Sequence, residues 1–362
     1  MKLHIGIRYL TSAVVALAAQ KNLIIDTDLF SDVDDAGALL LAATSPNVNL
    51  LAVNINYPSA FSALTASAIL AHYGLPEVPI GIRRPLTNDT FFDSWSYELG
   101  EYTSKVAFHF SGGCLPWGHA EEAWDPVALY RKVLAEAEDD SVTIASIGFL
   151  DNLSGLLNST ADSYSHLSGR ALVARKVSEL VVMGGDYPSG YEFNFWGSNA
   201  SLTAHVINTW EGRMVFVGYS VGKAVKPGGR LMSEGPNMEP VRMAYIYFTY
   251  YAPRPSWDPL AMLYAMNGLG GLFRFGNGYG YNHVEISGAN RWIWDPKVRN
   301  QFFLRLKTDE ETVAAELDRL FLQGALSVSK PPATKTPQRM AHSILISIMP
   351  TKALRDECRY IP

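Results

Sequence analysis

The hydrophobic positions of the chain fall in short aliphatic runs, and most of these runs end in a loop of polar residues or glycine. Such runs are typical of buried parallel strands, because both faces of the strand are covered. Segments of helical composition lie between them, and one begins with the helix-start signal Asp125-Pro126. The pattern predicts strands at 23–25, 49–55, 78–82, 142–147, 179–183 and 214–217, and helices at 36–43, 61–73, 125–138, 238–250, 258–267 and 309–324.

The alternation of strands and helices predicts an α/β fold with a mostly parallel, mixed open sheet and helices on both faces. No linker interrupts it, so we expect one domain over residues 21–326. Residues 83–123 are polar and aromatic without a clear period, and long insertions of this kind are more often functional or mobile than part of a core. Residues 327–362 are rich in Pro, Lys and Ser, and we expect a disordered tail there.

The first twenty residues have the order of a secretory leader. Lys2 and Arg8 precede an apolar stretch that ends in the small residues Ala16-Leu17-Ala18-Ala19. The stretch is too short for a transmembrane helix. We therefore expect residues 1–20 to be a signal peptide, and the mature protein to be secreted and free of the membrane. The net charge of −5 gives no basic footprint, which argues against a nucleic-acid partner.

An acidic loop follows the first predicted strand, at the edge of the sheet where open α/β folds bind their ligands. Closely spaced carboxylates repel one another unless a cation lies among them or some are protonated. Oxygen ligands in such number suit Ca²⁺ or Mg²⁺ better than zinc. The loop reads 26-DTDLFSDVDD-35 and contains Asp26, Asp28, Asp32, Asp34 and Asp35.

Two kinds of site share part of this loop pattern. An EF-hand counted from Asp26 needs Asp or Asn at its fifth place and Gly at its sixth, where the chain has Phe30 and Ser31. The opening Asp26-Thr27-Asp28 also resembles haloacid-dehalogenase-type phosphatases, in which Asp26 would be the nucleophile. Phe30 departs from that family's pattern as well. The EF-hand is excluded, and the phosphatase remains an unfavoured alternative.

Four segments, in order along the chain, together resemble the inosine–uridine-type nucleoside hydrolases. Asp26-Thr27-Asp28 with Asp34-Asp35-Ala36 is similar to that family's DxDxxxDDA signature. The family's TGPLTN-type turn, its MGG…EFN segment and its HDPLA segment find counterparts further on. These counterparts are 142-VTIASIGFLDNL-153, Met183-Gly184-Gly185 with Glu192-Phe193-Asn194, and Trp257-Asp258-Pro259-Leu260-Ala261. The resemblance covers roughly residues 22–325.

The resemblance implies a Ca²⁺ site. Asp28 would be both a calcium ligand and the general base that takes the proton of the attacking water. Asp35 and Asp258 would be the other carboxylate ligands, and the backbone carbonyl of Ile147 would complete the set from the protein. Asp26 would support the site from behind, with a structural role equally open.

The resemblance also implies a sugar-binding set. Asp34 would bond a ribose hydroxyl, and Glu192 and Asn194 would bind further hydroxyls. A ribose-binding Asn of the family corresponds to Asn56 or to Ser59, and we take Asn56. Nearby carboxylates would stabilise the oxocarbenium-like sugar cation formed as the N-glycosidic bond breaks.

Two departures from the family pattern affect these expectations. The loop is two residues longer between Asp28 and Asp34. The extra Asp32 would reach solvent or add a weak ligand, and we expect it to reach solvent. Trp257 stands where inosine–uridine-preferring members have a His that protonates the departing base, and indole is not a useful acid. Either the base stacks on Trp rings, as in purine-specific members, or the substrate is not an ordinary nucleoside. Rings for stacking could come from the 83–123 insertion, namely Phe91, Phe92, Trp95 and Trp117, and His109 and His119 could also enter the pocket.

We therefore expect a secreted, calcium-dependent hydrolase that cleaves a nucleoside or related riboside into base and ribose. The resemblance also implies a homo-oligomer. The alternative within the same fold is a catalytically silent protein that binds ribosides or sugars. The intact set of Asp28, Asp34, Asp35 and Asp258 argues for the enzyme, whereas Trp257 and the longer loop argue for the binding protein.

Overall fold

The computed structural model describes residues 20–328. Within this range, the strands are β1 (Lys21–Thr27), β2 (Val48–Ile55), β3 (Ile80–Ile82), β4 (Val142–Ile147), β5 (Val177–Met183), β6 (Ser189–Tyr191), β7 (Met214–Val217), β8 (Phe273–Phe275), β9 (Tyr281–Val284), β10 (Ala289–Ile293) and β11 (Gln301–Leu306). The α-helices are α1 (Asp34–Thr44), α2 (Ala60–His72), α3 (Thr103–His109), α4 (Pro126–Glu136), α5 (Asp151–Asn158), α6 (Gly169–Lys176), α7 (Phe193–Trp196), α8 (Ala200–Thr209), α9 (Tyr219–Gly222), α10 (Gly229–Glu234), α11 (Pro240–Thr249), α12 (Asp258–Asn267) and α13 (Glu310–Ser327).

The main sheet has eight strands in the order β3-β2-β1-β4-β5-β7-β11-β8. Neighbouring strands are parallel except for β8, which pairs antiparallel with β11 at one edge. A separate antiparallel sheet has the order β6-β10-β9. The predicted fold class, a mostly parallel mixed sheet in an α/β protein, is confirmed.

Alternate residues of the central strands pack into two different cores, one on each face of the sheet. On β1, Leu23 and Ile25 belong to one core and Ile24 to the other. On β4, Ala145 and Ile147 pack on the first side, and Ile144 on the second. Helices α1, α2, α11, α12 and α13 cover the first face, and α4, α5, α6 and α8 cover the second. Burial on both faces explains why these strands are continuous aliphatic runs in the sequence.

The carboxyl ends of the parallel strands form one edge of the sheet. Thr27 at the end of β1 lies beside Ile55 of β2 and Ile147 of β4. Met183 at the end of β5 lies beside Val217 of β7. Residues that follow these strands in the sequence are therefore brought to one edge, although they are far apart along the chain.

Most of the predicted strands and helices are present, with ends that differ by a few residues. The 83–123 segment is more regular than expected, since it contains α3 and a 3₁₀ turn at Ala120–Glu122. The sequence analysis did not find α6, α8 or the strands after residue 270. Helix α13 ends at Ser327, one residue into the expected tail.

The predicted signal peptide and disordered tail lie outside the described residues, apart from Gln20, Ser327 and Val328. Both stay predictions. Between residues 20 and 328 no helix combines the length and the apolar character that a bilayer crossing requires.

Candidate active site

A cavity of about 480 Å³ opens at the carboxyl edge of the sheet, where the loops after β1, β4, β5 and β7 meet the start of α12. Its lining combines carboxylates with aromatic rings. The lining residues are Asp28, Ser31, Asp32, Asp34, Asp35, Trp95, Ile147, Met183, Tyr191, Glu192, Phe193, Asn194, Trp196, Tyr219, Trp257 and Asp258.

The loop between β1 and α1 is held by its own apolar residues. Leu29 and Val33 are fully buried, and the ring of Phe30 stacks on Tyr57 with centroids 3.9 Å apart. The hydroxyl of Tyr102 donates to the backbone carbonyl of Asp32 at 2.7 Å. These contacts fix the backbone, and the acidic side chains therefore have defined directions despite their mutual repulsion.

Asp34 and Asp258 are joined by hydrogen bonds between the starts of two helices. Asp34 begins α1, and its Oδ2 accepts from the backbone N–H of Trp257 at 2.8 Å and of Asp258 at 3.1 Å. These are N–H groups that the start of α12 cannot satisfy within the helix, so Asp34 acts as a cap supplied by a distant segment. The amino ends of both helices also favour negative charge through the helix dipole.

Carboxylate oxygens of Asp34, Asp35 and Asp258 lie within 4.8 Å of one another, and all three residues are buried. Asp35 is oriented by its Oδ1, which accepts from the Thr27 hydroxyl and from the backbone N–H of Leu29 at 3.1 Å. The carboxylate of Asp28 lines the same cavity but is not one of this group of three. The structure thus brings together the predicted ligands Asp35 and Asp258, with Asp34 as their near neighbour.

Burial raises the pKa of Asp28 to about 7 and the pKa values of Asp34, Asp35 and Asp258 well above their usual range. The negative charges of the neighbouring aspartates raise them further. Burying these carboxylates in ionised form costs free energy, through lost hydration and mutual repulsion. A hard divalent cation bound among them would offset both effects. The donor set of buried carboxylate oxygens therefore fits a metal ion of the Ca²⁺ or Mg²⁺ type. Ile147, which ends β4, lines the same cavity.

Glu192 and Asn194 lie at the start of α7 and line the cavity, and their role in sugar binding stays a prediction. The Glu192 carboxylate accepts from the backbone N–H of Asn194 at 3.0 Å and of Gly185 at 3.1 Å. Burial raises the pKa of Glu192 to about 7. The Asn194 amide donates to the Met183 carbonyl at 3.3 Å, and its position is therefore fixed from the end of β5.

Asn56, which was predicted to bind ribose, lies behind the cavity and does not line it. Its amide donates to Asp26 Oδ1 at 2.6 Å, and its Oδ1 accepts from the backbone N–H of Phe149 at 3.1 Å. Both polar ends are already used, so the predicted sugar contact does not fit the structure. The alternative Ser59 caps α2 and donates to the Asp89 carbonyl, also away from the cavity.

Asp26 is the centre of a buried network beneath Asp28. Besides Asn56, the Tyr130 hydroxyl donates to its carboxylate at 2.7 Å and the Asn152 amide at 3.3 Å. Burial raises the pKa of Asp26 to about 7, with its hydrogen bonds opposing the rise. Its supporting position agrees with the predicted one.

The expectation that Asp32 reaches solvent is wrong. Its carboxylate forms an ion pair with Arg254, with Nε–Oδ1 at 3.0 Å and Nη2–Oδ2 at 2.5 Å. Both side chains are about four-fifths buried, at 22% and 23% exposed. Arg254 lies four residues before Asp258, so this pair ties the longer loop to the segment that leads into α12. No pattern in the sequence indicates a pairing between residues so far apart.

The rings at the cavity mouth are partly those expected and partly new. Trp257 lines the cavity, its Nε1 donates to the Tyr219 carbonyl at 2.7 Å, and its ring stacks on that of Tyr219 with centroids 5.6 Å apart. Tyr191 and Trp196 form a second stacked pair at 5.5 Å. The rings that were not expected are those of Tyr191, Trp196 and Tyr219. Tyr219 follows a predicted strand, and Tyr191 and Trp196 flank the Glu192-Phe193-Asn194 segment, so their positions in the sequence could have indicated them.

Of the rings and histidines suggested in the insertion, Trp95 alone lines the cavity. Phe91 packs on Phe30 and Phe248, and Phe92 contacts Tyr97. The remaining candidates lie elsewhere on the insertion, and they are Trp117, His109 and His119.

Comparison with known proteins identifies the family. The model of the inosine-uridine preferring nucleoside hydrolases matches residues 23–319. No curated protein matches the chain by sequence. Among solved structures, a plant nucleoside hydrolase is 18% identical, with a TM-score of 0.62 and coverage of 83% of this chain and 99% of its own. An inosine-guanosine nucleoside hydrolase is also 18% identical, with a TM-score of 0.63 and coverage of 84% and 99%.

An inosine-uridine preferring nucleoside hydrolase from Bacillus anthracis is 14% identical, with a TM-score of 0.56 and coverage of 84% of this chain and all of its own. At these identities the structural likeness establishes the shared fold, and the family match carries the assignment. The phosphatase alternative does not hold. The chain belongs to the inosine-uridine preferring nucleoside hydrolase family and is a hydrolase that acts on N-glycosyl compounds.

Proposed function

We propose that this chain is a calcium-dependent ribohydrolase that cleaves the N-glycosidic bond of a nucleoside or related riboside into free base and ribose. The observation that carries the proposal is the buried group of Asp34, Asp35 and Asp258 in the cavity that also contains Asp28. The cavity is large enough for a sugar. No lysine or arginine is among its lining residues, and Arg254, which pairs with Asp32, is not one of them.

Asp35 and Asp258 would hold the ion, together with Asp28 and the backbone carbonyl of Ile147. Bound Ca²⁺ would lower the pKa of a coordinated water and orient the sugar hydroxyls. Asp28 would take the proton of the attacking water, because its carboxylate lines the cavity together with the proposed ligands Asp35 and Asp258.

Asp34 has one oxygen occupied by the two N–H groups of α12, which leaves the other for a ribose hydroxyl. Glu192 and Asn194 line the same cavity and would bind further hydroxyls. The surrounding carboxylates would stabilise positive charge at the anomeric carbon as the bond to the base breaks.

The proposal includes the cellular location. Because residues 1–20 have the order of a secretory leader, we infer that the enzyme acts outside the cell, where millimolar calcium would keep a moderate-affinity site filled. Expression of the full chain, followed by amino-terminal sequencing of protein from the medium, tests this inference. Retention of an intact leader inside the cell would contradict it.

The activity is tested with protein stripped of metal and then supplied with Ca²⁺. Inosine, adenosine, guanosine, uridine and cytidine are offered, and released base and reducing sugar are followed. We expect Asp28→Asn to lose about 100-fold or more of kcat, the range that a general base contributes. Asp140→Asn is the matched control, since Asp140 is exposed and its left-handed backbone suits Asn.

Equal kcat for Asp28→Asn and Asp140→Asn would overturn the role of Asp28. Activity that survives metal removal unchanged would overturn the calcium requirement. Calorimetric binding of ribosides without turnover across the panel would favour the silent binding protein instead.

A further inference from the structure

We propose that Arg254 and Asp32 are a positioning pair for the candidate metal site, and that their contact sets how tightly this site binds Ca²⁺. The pair would act through Asp258, which begins α12, rather than by binding the ion itself. The proposal rests on the proposed calcium-dependent function and names the residues that control its metal affinity.

The segment that leads into α12 carries both Arg254 and Asp258. The described residues 252–256 form neither helix nor strand, so no regular set of backbone hydrogen bonds holds them. The N–H of Arg254 donates to the Pro227 carbonyl at 3.1 Å, and that of Ser256 donates to the Gly222 carbonyl at 3.2 Å. The position of the segment therefore depends on a small number of individual contacts.

The segment is stiff around Arg254, because Pro253 and Pro255 lie on either side of it. Each proline ring fixes its own φ near −65°, which removes one of the two soft backbone angles of that residue. A displacement at Arg254 is for that reason passed along the chain toward Asp258 instead of being absorbed between them.

The chain enters this segment along a strained path. Tyr250, which ends α11, has a φ of 52°, and Tyr251 has a φ of 72°. Residues with a Cβ adopt this left-handed region only at a cost in free energy. Contacts further along the segment must therefore hold the path in place, and the Arg254 ion pair is the first strong side-chain contact after the two tyrosines.

Two neighbouring contacts join the segment to the acidic loop. Asp34 accepts the backbone N–H groups of Trp257 and Asp258, at 2.8 and 3.1 Å. Three residues before Trp257, the Arg254 guanidinium binds the Asp32 carboxylate, with Nε–Oδ1 at 3.0 Å and Nη2–Oδ2 at 2.5 Å. One point of attachment would let the segment pivot, and the second fixes its orientation.

The pair is itself anchored in the core. The fully buried hydroxyl-bearing ring of Tyr102 donates to the backbone carbonyl of Asp32 at 2.7 Å. The Arg254 guanidinium lies 5.3 Å from the ring centroid of Phe248, which is also fully buried. The contact therefore holds the segment against a rigid part of the fold.

The position of this segment decides whether the metal site is complete. Asp258 comes from the segment, whereas Asp34 and Asp35 come from α1, and carboxylate oxygens of the three lie within 4.8 Å of one another. Calcium binds oxygen ligands at about 2.3–2.6 Å, so a small shift of Asp258 would remove a ligand. Loss of a group that orients metal ligands lowers metal affinity by about 10–100-fold.

The test separates position from charge. Arg254→Met alone would leave the Asp32 charge unbalanced, and this charge would by itself attract a cation. The test variant therefore combines Asp32→Asn with Arg254→Met, which removes one charge of each sign. Calorimetric titration of the metal-stripped full chain with Ca²⁺ should give a Kd about tenfold or more weaker than that of the wild type.

The matched control breaks an ion pair near the other end of the sheet. Glu179→Gln with Arg213→Met makes the same kinds of change at a pair with a 2.6 Å contact, near the start of β5. Its Kd for Ca²⁺ should stay within about twofold of the wild type. Both double variants lose an ion pair, so a general loss of stability would affect both, whereas lost positioning affects only the first.

A rescue variant completes the test. Arg254→Lys keeps the net charge and can still donate to Asp32, so it should bind Ca²⁺ more tightly than the Asp32→Asn, Arg254→Met variant. Equal Kd values in the two double variants, or no gain from the lysine, would overturn the positioning role and leave the calcium site standing. A folded wild-type chain that binds no Ca²⁺ would overturn both.

Discussion

The ion pair between Asp32 and Arg254 makes a sharp prediction about stability. Replacing Arg254 with Met leaves the Asp32 carboxylate without its partner and also removes the guanidinium that lies 5.3 Å from the Phe248 ring centroid. That carboxylate is about four-fifths buried and lies close enough to Asp34 for their charges to interact. The perturbation is therefore mainly an unpaired, poorly hydrated charge.

The magnitude follows from the exposure of the pair. Removing one partner of a fully buried pair costs about 3–5 kcal/mol, and a surface pair contributes about 0.2–1 kcal/mol. A pair that is one-fifth exposed and holds three direct N–H···O contacts lies between these limits, at about 2–3 kcal/mol. For a chain of this length that corresponds to a fall in Tm of roughly 3–5 °C.

The assay is a double-mutant cycle by urea and thermal unfolding, with Asp32→Asn, Arg254→Met and the double variant. We expect a coupling free energy of about 1.5 kcal/mol, because the double variant leaves no unpaired charge. The control cycle uses Lys132→Met and Glu136→Gln, an exposed pair one helical turn apart, with an expected coupling under about 0.5 kcal/mol. Equal couplings in the two cycles would refute the argument that burial gives the Asp32 pair its strength.

Three further predictions concern the site. Because the pKa of Asp28 is raised to about 7, the native apoprotein binds more protons than the unfolded chain, and its stability should fall from pH 4 to pH 8. The Tm increase caused by Ca²⁺ should grow over the same range. Scanning fluorimetry with and without Ca²⁺ measures both. Gly148→Ala would put a methyl group 2.5 Å from the Asp28 backbone nitrogen, and kcat should fall at least tenfold, whereas Gly278→Ala, which meets nothing within 4 Å, should keep wild-type kcat. Tyr130→Phe removes a donor to Asp26 and should cost about 1–2 kcal/mol in urea unfolding.

The sequence predicted the parts of the site that are local. Residues 26–35 run from the end of a strand to the start of a helix, so their position at the sheet edge follows from the pattern alone. It could not predict side-chain direction, which is why Asn56 was expected in the cavity although its amide turns back to Asp26. It also missed Arg254, because a partner 222 residues from Asp32 leaves no periodic trace. The stacked pair Tyr191 and Trp196 is local in the chain, and it was missed because the pattern does not show which way the rings face.

The hydrogen bonds from Asp34 to the start of α12 join segments 223 residues apart in the chain. Asp34 and Asp35 lie at the start of α1, in the first of these segments, whereas Asp258 lies at the start of α12, in the second. A ligand that contacts residues from both segments therefore bridges the ends of a very long loop, and its binding stabilises the folded chain. At a concentration of a hundred times Kd, such a ligand would add about 2.7 kcal/mol to the free energy of unfolding. Ribose and calcium should for that reason protect residues far from the cavity, including the sheet strands between β1 and β7, from amide hydrogen exchange.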